Sequence, residues 1–211
     1  MGSLKAKAYD IIKENIISCR YAPGDFLNEM QLMDEIGASR TPIREALNKL
    51  EQERFVRIVP KKGIMVSELT LREINELYQV RLMLEPQVLR QWGEWIPVEE
   101  LERCHTRLVN YSPEMNMLER NELDNSLHRL VVDYCPNCYI REWFGHVFSQ
   151  NQRVRIFTGQ IGQRMELNNE SHLKILDKLL LGDYNGAAEL MTEHLEEGKR
   201  ATFDILLRMG L

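Results

Sequence analysis

Four side chains in the second half of the chain have the chemistry to hold a divalent metal. Asp124 and His128 stand four residues apart, so in a helix they share one face; His172 and His194 fall in two later helical stretches. Three helices could therefore bring one carboxylate and three imidazoles together. A nitrogen and oxygen set without thiolate suits Zn2+, and also Ni2+, Mn2+ or Fe2+. Spacing alone leaves a second reading open, because a histidine on an apolar helix face is commonly a hydrogen-bonded core residue. Cys135 and Cys138 have the spacing of a redox or half-zinc motif, but no second pair accompanies them, and the intervening Pro136-Asn137 reads as a turn between helices. With Cys19 and Cys104 they make four cysteines, read as free thiols of a reducing compartment.

A second constellation is basic and lies near the start. Ser39 or Thr41 is expected to cap a helix with Pro42 in its first turn, where a missing N–H costs nothing. Ile43, Ala46, Leu47 and Leu50 form its inward stripe, while Arg40, Arg44 and Asn48 fall four apart on another face. A helix of this kind fits the major groove of B-DNA, and an arginine fork can grip guanine O6 and N7 together. Either Arg40 or Arg44 can be the base reader, with Thr41 on a phosphate or base edge. Lys61 and Lys62 could reach a phosphate or a minor groove, and Gly63 permits the positive φ of a tight turn.

The elements that position these residues follow from periodicity. Leu4, Ala8, Ile11, Ile12, Ile16 and Ile17 recur at helical spacing, and Tyr21-Ala22-Pro23-Gly24 ends that helix. Asn28 with Gln31 predicts a capping box opening a second helix that Gly37 stops. After the third helix the period changes to about two, over residues 55–60 and 64–66, which predicts a hairpin tipped by Lys61-Lys62-Gly63. From Thr70 the chain reads as six helices, near 71–92, 97–111, 113–135, 138–158, 163–182 and 185–208. The fold class is thus mainly α: a winged helix-turn-helix over 1–69, then an all-α antiparallel six-helix bundle over 70–211. Trp92, Trp95 and Trp143 are read as packing residues.

Composition agrees with a globular DNA binder once it is divided. The 211 residues carry a net charge of −5, but residues 1–67 hold eleven basic against nine acidic side chains. The acidity belongs to the second half. No apolar run of about 18 residues is present, and Lys5, Lys7 and Asp10 near the start do not suit a secretion signal. A cytoplasmic protein without membrane partners is expected.

Pro23-Gly24, Leu27-Asn28-Glu29, Leu32, Gly37, the run Ser39-Arg40-Thr41-Pro42-Ile43-Arg44-Glu45-Ala46-Leu47, Leu50, Glu53, Val56 and Gly63 resemble the DNA-binding domain of the GntR family of bacterial regulators. Arg54-Phe55 departs from that pattern, where Gly-Leu is usual, and Met33-Asp34 follows Leu32 where an Ala is more common. The second half is similar to the FCD effector domain of the FadR subfamily, in its shorter VanR-like branch. That likeness runs through Asp124, His128, Asn137, Glu170/His172, Gly182-Asp183, Ala187/Ala188 and His194; Ser171 departs, separating Glu170 from His172.

The resemblance implies a transcriptional regulator, not an enzyme, with a metal on Asp124, His128, His172 and His194, zinc above all. It implies a small carboxylate effector, with Arg81 at a position near the pocket and Arg153 or Arg155 in a similar role. For Arg81 and Glu85, an i,i+4 surface or interface ion pair is the alternative. A homodimer on a palindromic double-stranded operator is expected. Two further alternatives remain at this point: a metal-dependent hydrolase or lyase on a DNA-binding head, and a direct metal sensor. His105 and His146 match nothing in the family pattern.

Overall fold

Apolar stripes separated by caps and glycine stops produce nine α-helices, three strands and a short 3-10 helix (Gly93–Trp95) among the residues that the computed structural model describes, 3–112, 114–161 and 168–210. The chain divides after Leu69 into two compact units.

In the first unit, α1 (Leu4–Ile17) buries Ala8, Ile12 and Ile16 against α3 (Arg40–Gln52), whose Ile43, Ala46, Leu47 and Leu50 are all buried. Between them α2 (Glu29–Ile36) is capped by Asn28, whose side chain accepts from the Met30 N–H. Gln31 takes no part in that cap, so the expected capping box is replaced by a single bond. Gly37 ends α2 in the left-handed conformation, at φ 70°. The hairpin consists of β2 (Val56–Val59) and β3 (Gly63–Val66), antiparallel, with Ile58 opposite Ile64. Sequence periodicity missed a third strand, β1 (Phe26–Leu27), which pairs with the other edge of β3. Two residues are too few to show an alternation.

The second unit contains α4 (Leu71–Trp92), α5 (Val98–Val109), α6 (Met117–Asp133), α7 (Cys138–Ile161), α8 (Asn168–Leu180) and α9 (Tyr184–Arg208). Capping boxes open α4 at Thr70/Glu73 and α6 at Asn116/Glu119, so α6 starts later than residue 113. Asn137 opens α7, its Oδ1 accepting from the N–H groups of Tyr139 and Ile140. Cys135 is buried and Cys138 exposed, both as free thiols on either side of that turn. Part of the expected 163–182 helix lies outside the described residues. The α4 helix packs along α9, α9 along α8, and α6 along α7, around a core that includes Leu89, Leu127, Phe144, Leu176 and Leu195. Trp92 packs against this core, but Trp95 and Trp143 are 56% and 62% exposed, so those two are not packing residues. Aromatic type alone does not say which helix face a residue occupies.

Arg54 lies just beyond the end of α3 at φ 63°, where the family pattern has glycine. A side chain in the left-handed region is strained by its Cβ, whereas glycine is not. Arg54→Gly is therefore expected to stabilise the first unit by about 0.5–1 kcal/mol, after allowing for the greater freedom of glycine in the unfolded chain. Thermal unfolding checks this, and an unchanged or lower midpoint would contradict it.

Candidate metal centre and nucleic-acid interface

The α3 helix begins at Arg40, so Arg40, Thr41 and Arg44 lie in its first turns, where backbone N–H groups and the helix dipole favour anions. Ser39 holds the cap position but its side chain makes no capping bond. Arg40 and Arg44 side chains are 61% and 58% exposed, and Thr41 and Asn48 are exposed as well. Glu29, at the start of α2, reaches both arginines, which the sequence did not foretell. At the wing tip Lys61 and Gly63 both take positive φ, 65° and 110°, and Lys61, Lys62 and Gly63 are exposed. Gly63 was expected to carry the turn; Lys61 shares it.

Inside the second unit, His128 from α6, His172 from α8 and His194 from α9 converge, each at most 5% exposed. The Nε2 atoms of His172 and His194 are 3.1 Å apart, and those of His194 and His128 are 3.3 Å apart. Tetrahedral zinc with bonds of about 2.0–2.1 Å would separate its nitrogen ligands by about 3.3–3.4 Å. The outer nitrogens have their own surroundings. His128 Nδ1 lies 2.6 Å from Glu85 Oε2; as the carboxylate only accepts, this nitrogen donates and leaves a lone pair on Nε2. Ser171 Oγ lies 2.9 Å from His194 Nδ1, so the residue that breaks the family pattern supports a neighbouring ring. Lone pairs pointing at one another are unfavourable without a proton or cation between them, and the donor set fits a divalent metal.

Asp124 does not join the three nitrogens. One of its oxygens pairs with the Arg155 guanidinium, and the other is 3.9 Å from His172 Nδ1, on the far side of that ring. The structure thus brings together three of the four expected ligands. His105 instead faces Asp177 at 3.2 Å, and His146 is exposed.

Arg81 and Glu85 form the i,i+4 pair anticipated from the sequence, but at 2% and 0% exposure it is no surface bridge. Arg81 Nε donates to Glu85 Oε1 at 2.6 Å and its Nη1 donates to Asn151 Oδ1 at 2.9 Å; its buried Nη2 has no hydrogen-bond partner among the described residues. Burial alone would raise the Glu85 carboxyl, but Arg81 and then His128 bring it down to about 2. Burial lowers Arg155 to about 10. Arg153 is buried at 1% exposure. The sequence reading missed Asn121 and Asn125 on α6 and Asn151 on α7, all buried. A signal was present: Asn121, Asp124, Asn125 and His128 recur at helical spacing, marking a polar face turned inward.

Two families match the chain, the gntR family of bacterial regulatory proteins over residues 4–66 and the FCD domain over residues 76–197. The chain belongs to the GntR family and carries an FCD domain. It is 27% identical to the helix-turn-helix-type transcriptional regulator YdhC of Bacillus subtilis (strain 168), over 90% of this chain and 92% of that one. Among solved structures, a GntR transcriptional regulator from Rhodococcus sp. RHA1 superposes with a TM-score of 0.85 at 19% identity, covering 96% and 99% of the two chains. The Zn2+-bound FCD domain of TM0439 superposes with a TM-score of 0.58 at 22% identity, covering 66% of this chain and 98% of that domain.

This GntR-family chain is therefore a DNA-binding transcriptional regulator with a winged helix-turn-helix unit and a helical FCD unit. Its relatives are regulators rather than enzymes, which removes the hydrolase or lyase alternative. Among the described residues no helix is long and apolar enough to cross a membrane.

The histidine cluster makes a prediction about pH. Burial first, and then neighbouring His128 for His172 and His172 for His194, hold both imidazoles well below their ordinary value of 6.5. The unfolded chain gains protons on these rings below that value and the folded one does not, so stability is lost as pH falls. In chelator-treated protein the thermal midpoint should drop between about pH 7 and pH 5. That drop should be shallower in His194→Gln, and equal slopes in the two proteins would contradict a buried neutral cluster.

Proposed function

We propose that this regulator reads a double-stranded operator as a homodimer in the cytoplasm, and that a small carboxylate bound beside a divalent metal in the FCD unit modulates its grip. The observation that carries this reading is the convergence of three buried histidine nitrogens, linked through Glu85 to a buried Arg81 whose Nη2 has no hydrogen-bond partner among the described residues. His128, His172 and His194 would hold the metal through Nε2. Asp124, one helical turn before His128, would supply the fourth ligand after giving up Arg155. Zinc suits this set, and the Zn2+-bound state of the TM0439 domain supports that choice, with Ni2+, Mn2+ or Fe2+ as the other borderline candidates.

When bound, the metal supplies positive charge and open coordination positions for a carboxylate. The protein's own groups do the rest. Glu85 fixes the tautomer and orientation of His128, and Ser171 helps to orient the ring of His194 through its hydroxyl. Arg81, anchored by Glu85 and Asn151, would direct its Nη2 group toward an acid, and Arg153, buried on α7, is the second cation we assign to that role. Such a ligand alters DNA binding only to the extent that it favours one arrangement of the two reading heads.

On the DNA side, Arg40 or Arg44 reads a base, Thr41 bonds a phosphate or base edge, and Lys61, Lys62 and Gly63 bring the wing to the backbone. Arg44→Ala should reduce affinity for a selected operator by about 5- to 150-fold while leaving helix content unchanged. Fluorescence anisotropy measures this, and unaltered affinity would remove Arg44 from the interface.

Elemental analysis followed by thermal-shift titration with short-chain carboxylic acids tests the metal and effector together, because a ligand of the folded state raises its midpoint. Operator binding that follows metal alone, with no response to any acid, would instead favour a direct metal sensor. Glu85→Gln should weaken metal binding by about 10- to 100-fold in competition with a chromophoric chelator. Full affinity in that variant would rule out the supporting role given to Glu85.

A further inference from the structure

Glu29 is an acidic residue on the face that should meet DNA, where its charge opposes the phosphate backbone. It is the first residue of α2, and its side chain is only 23% exposed because both arginines close over it. Arg44 Nε donates to both carboxylate oxygens, at 3.1 and 3.2 Å, and Arg40 Nε lies 3.5 Å from Oε2. One carboxylate thus holds two guanidiniums that leave α3 one turn apart.

The atoms used decide what this contact can do. A guanidinium offers two bidentate edges, one through Nε and a terminal one formed by its two Nη groups. Glu29 occupies the first edge of Arg44 by hydrogen bonds and faces that of Arg40 as an ion pair at 3.5 Å, which leaves the terminal edge of each arginine available. The terminal edge is the fork that matches guanine O6 and N7. Arginine also carries much rotamer freedom, about 2 kcal/mol, which binding would otherwise have to restrict. A side chain already held by its Nε has lost part of that freedom before DNA arrives.

We propose that Glu29 is a positioning and specificity-determining residue of the DNA face, holding Arg40 and Arg44 so that their terminal edges read bases together. Its charge has a second consequence. It offsets one of the two arginine charges, which weakens sequence-indifferent attraction to phosphate. Specificity is a ratio of affinities, and Glu29 acts on both sides of it. The inference rests on the reading of Arg40 and Arg44 as the DNA-contacting pair.

The test uses the full-length protein and the duplex that it enriches from a random library, with poly(dI-dC) as the unspecific competitor. Both affinities are measured at several salt concentrations for the wild type, Glu29→Ala and Glu29→Gln. Glu29→Ala should bind poly(dI-dC) several-fold more tightly and lose about 10-fold or more in the specific-to-unspecific ratio. Glu29→Gln lacks the charge but keeps an acceptor oxygen, so it should show the same unspecific gain and recover part of the ratio. A carboxylate that merely repels DNA would raise both affinities by one factor in both variants. A ratio within about twofold of wild type in Glu29→Ala, whether affinities rise or fall together, overturns the proposal. Arg44→Ala separates the two levels: lost operator affinity there with an unchanged Glu29→Ala ratio sinks only the role of Glu29, whereas unaltered Arg44→Ala affinity sinks the reading beneath it.

Discussion

Burying three imidazoles, a guanidinium and a carboxylate inside a helical bundle costs desolvation that only mutual pairing can offset. In the FCD unit that pairing runs from Asn151 to Arg81, on to Glu85 and into His128, whose remaining nitrogen meets those of His194 and His172. The chain of bonds links α7, α4, α6, α9 and α8. Replacing any member with an apolar group would leave its neighbour buried and unpaired, which costs more than the lost bond itself. The polar centre is therefore a structural constraint on the bundle as well as a place for ligands.

Glu85 illustrates how one group serves both purposes. A carboxylate between a guanidinium and an imidazole stays ionised despite complete burial, because the two donors compensate for what solvent no longer provides. Held ionised, it compels His128 to carry its proton on Nδ1 and to present a lone pair inward. Ser171 sits against the outer nitrogen of His194 in a comparable way, through a hydroxyl instead of a carboxylate. The displaced glutamate of the family pattern, Glu170, lies instead at the exposed start of α8 and pairs with Lys174.

The winged unit obeys the opposite rule, since its functional side chains must stay wet until DNA replaces the water. Its apolar stripe on α1 and α3 is buried almost completely, and the basic groups project from the other face. Tyr9, Lys13 and Glu53 tie α1 to the end of α3 through hydrogen bonds of 2.7–2.8 Å. That brace fixes the distant end of α3, while Glu29 pairs with Arg40 and Arg44 at its beginning.

Much of this was legible without coordinates. The helices and the hairpin follow from the 3.6- and 2-residue periods, from the cap at Asn28, and from the stop at Gly37, all of which are local. The Ser39 to Leu47 run, whose charges and apolar stripe occupy different faces of one helix, was enough to mark a candidate DNA-reading helix. Helical spacing also nominated His128, His172 and His194. What chain order could not disclose is which atoms meet, since residues on α4, α6, α8 and α9 become neighbours only when the helices pack at particular rotations. Tertiary structure alone decided that the three Nε2 atoms converge, that Asp124 turns to Arg155, that Glu85 and Ser171 support the rings, and that Glu29 clasps both arginines. Local pattern determines each element, but distances between elements are set by how whole side-chain surfaces interlock.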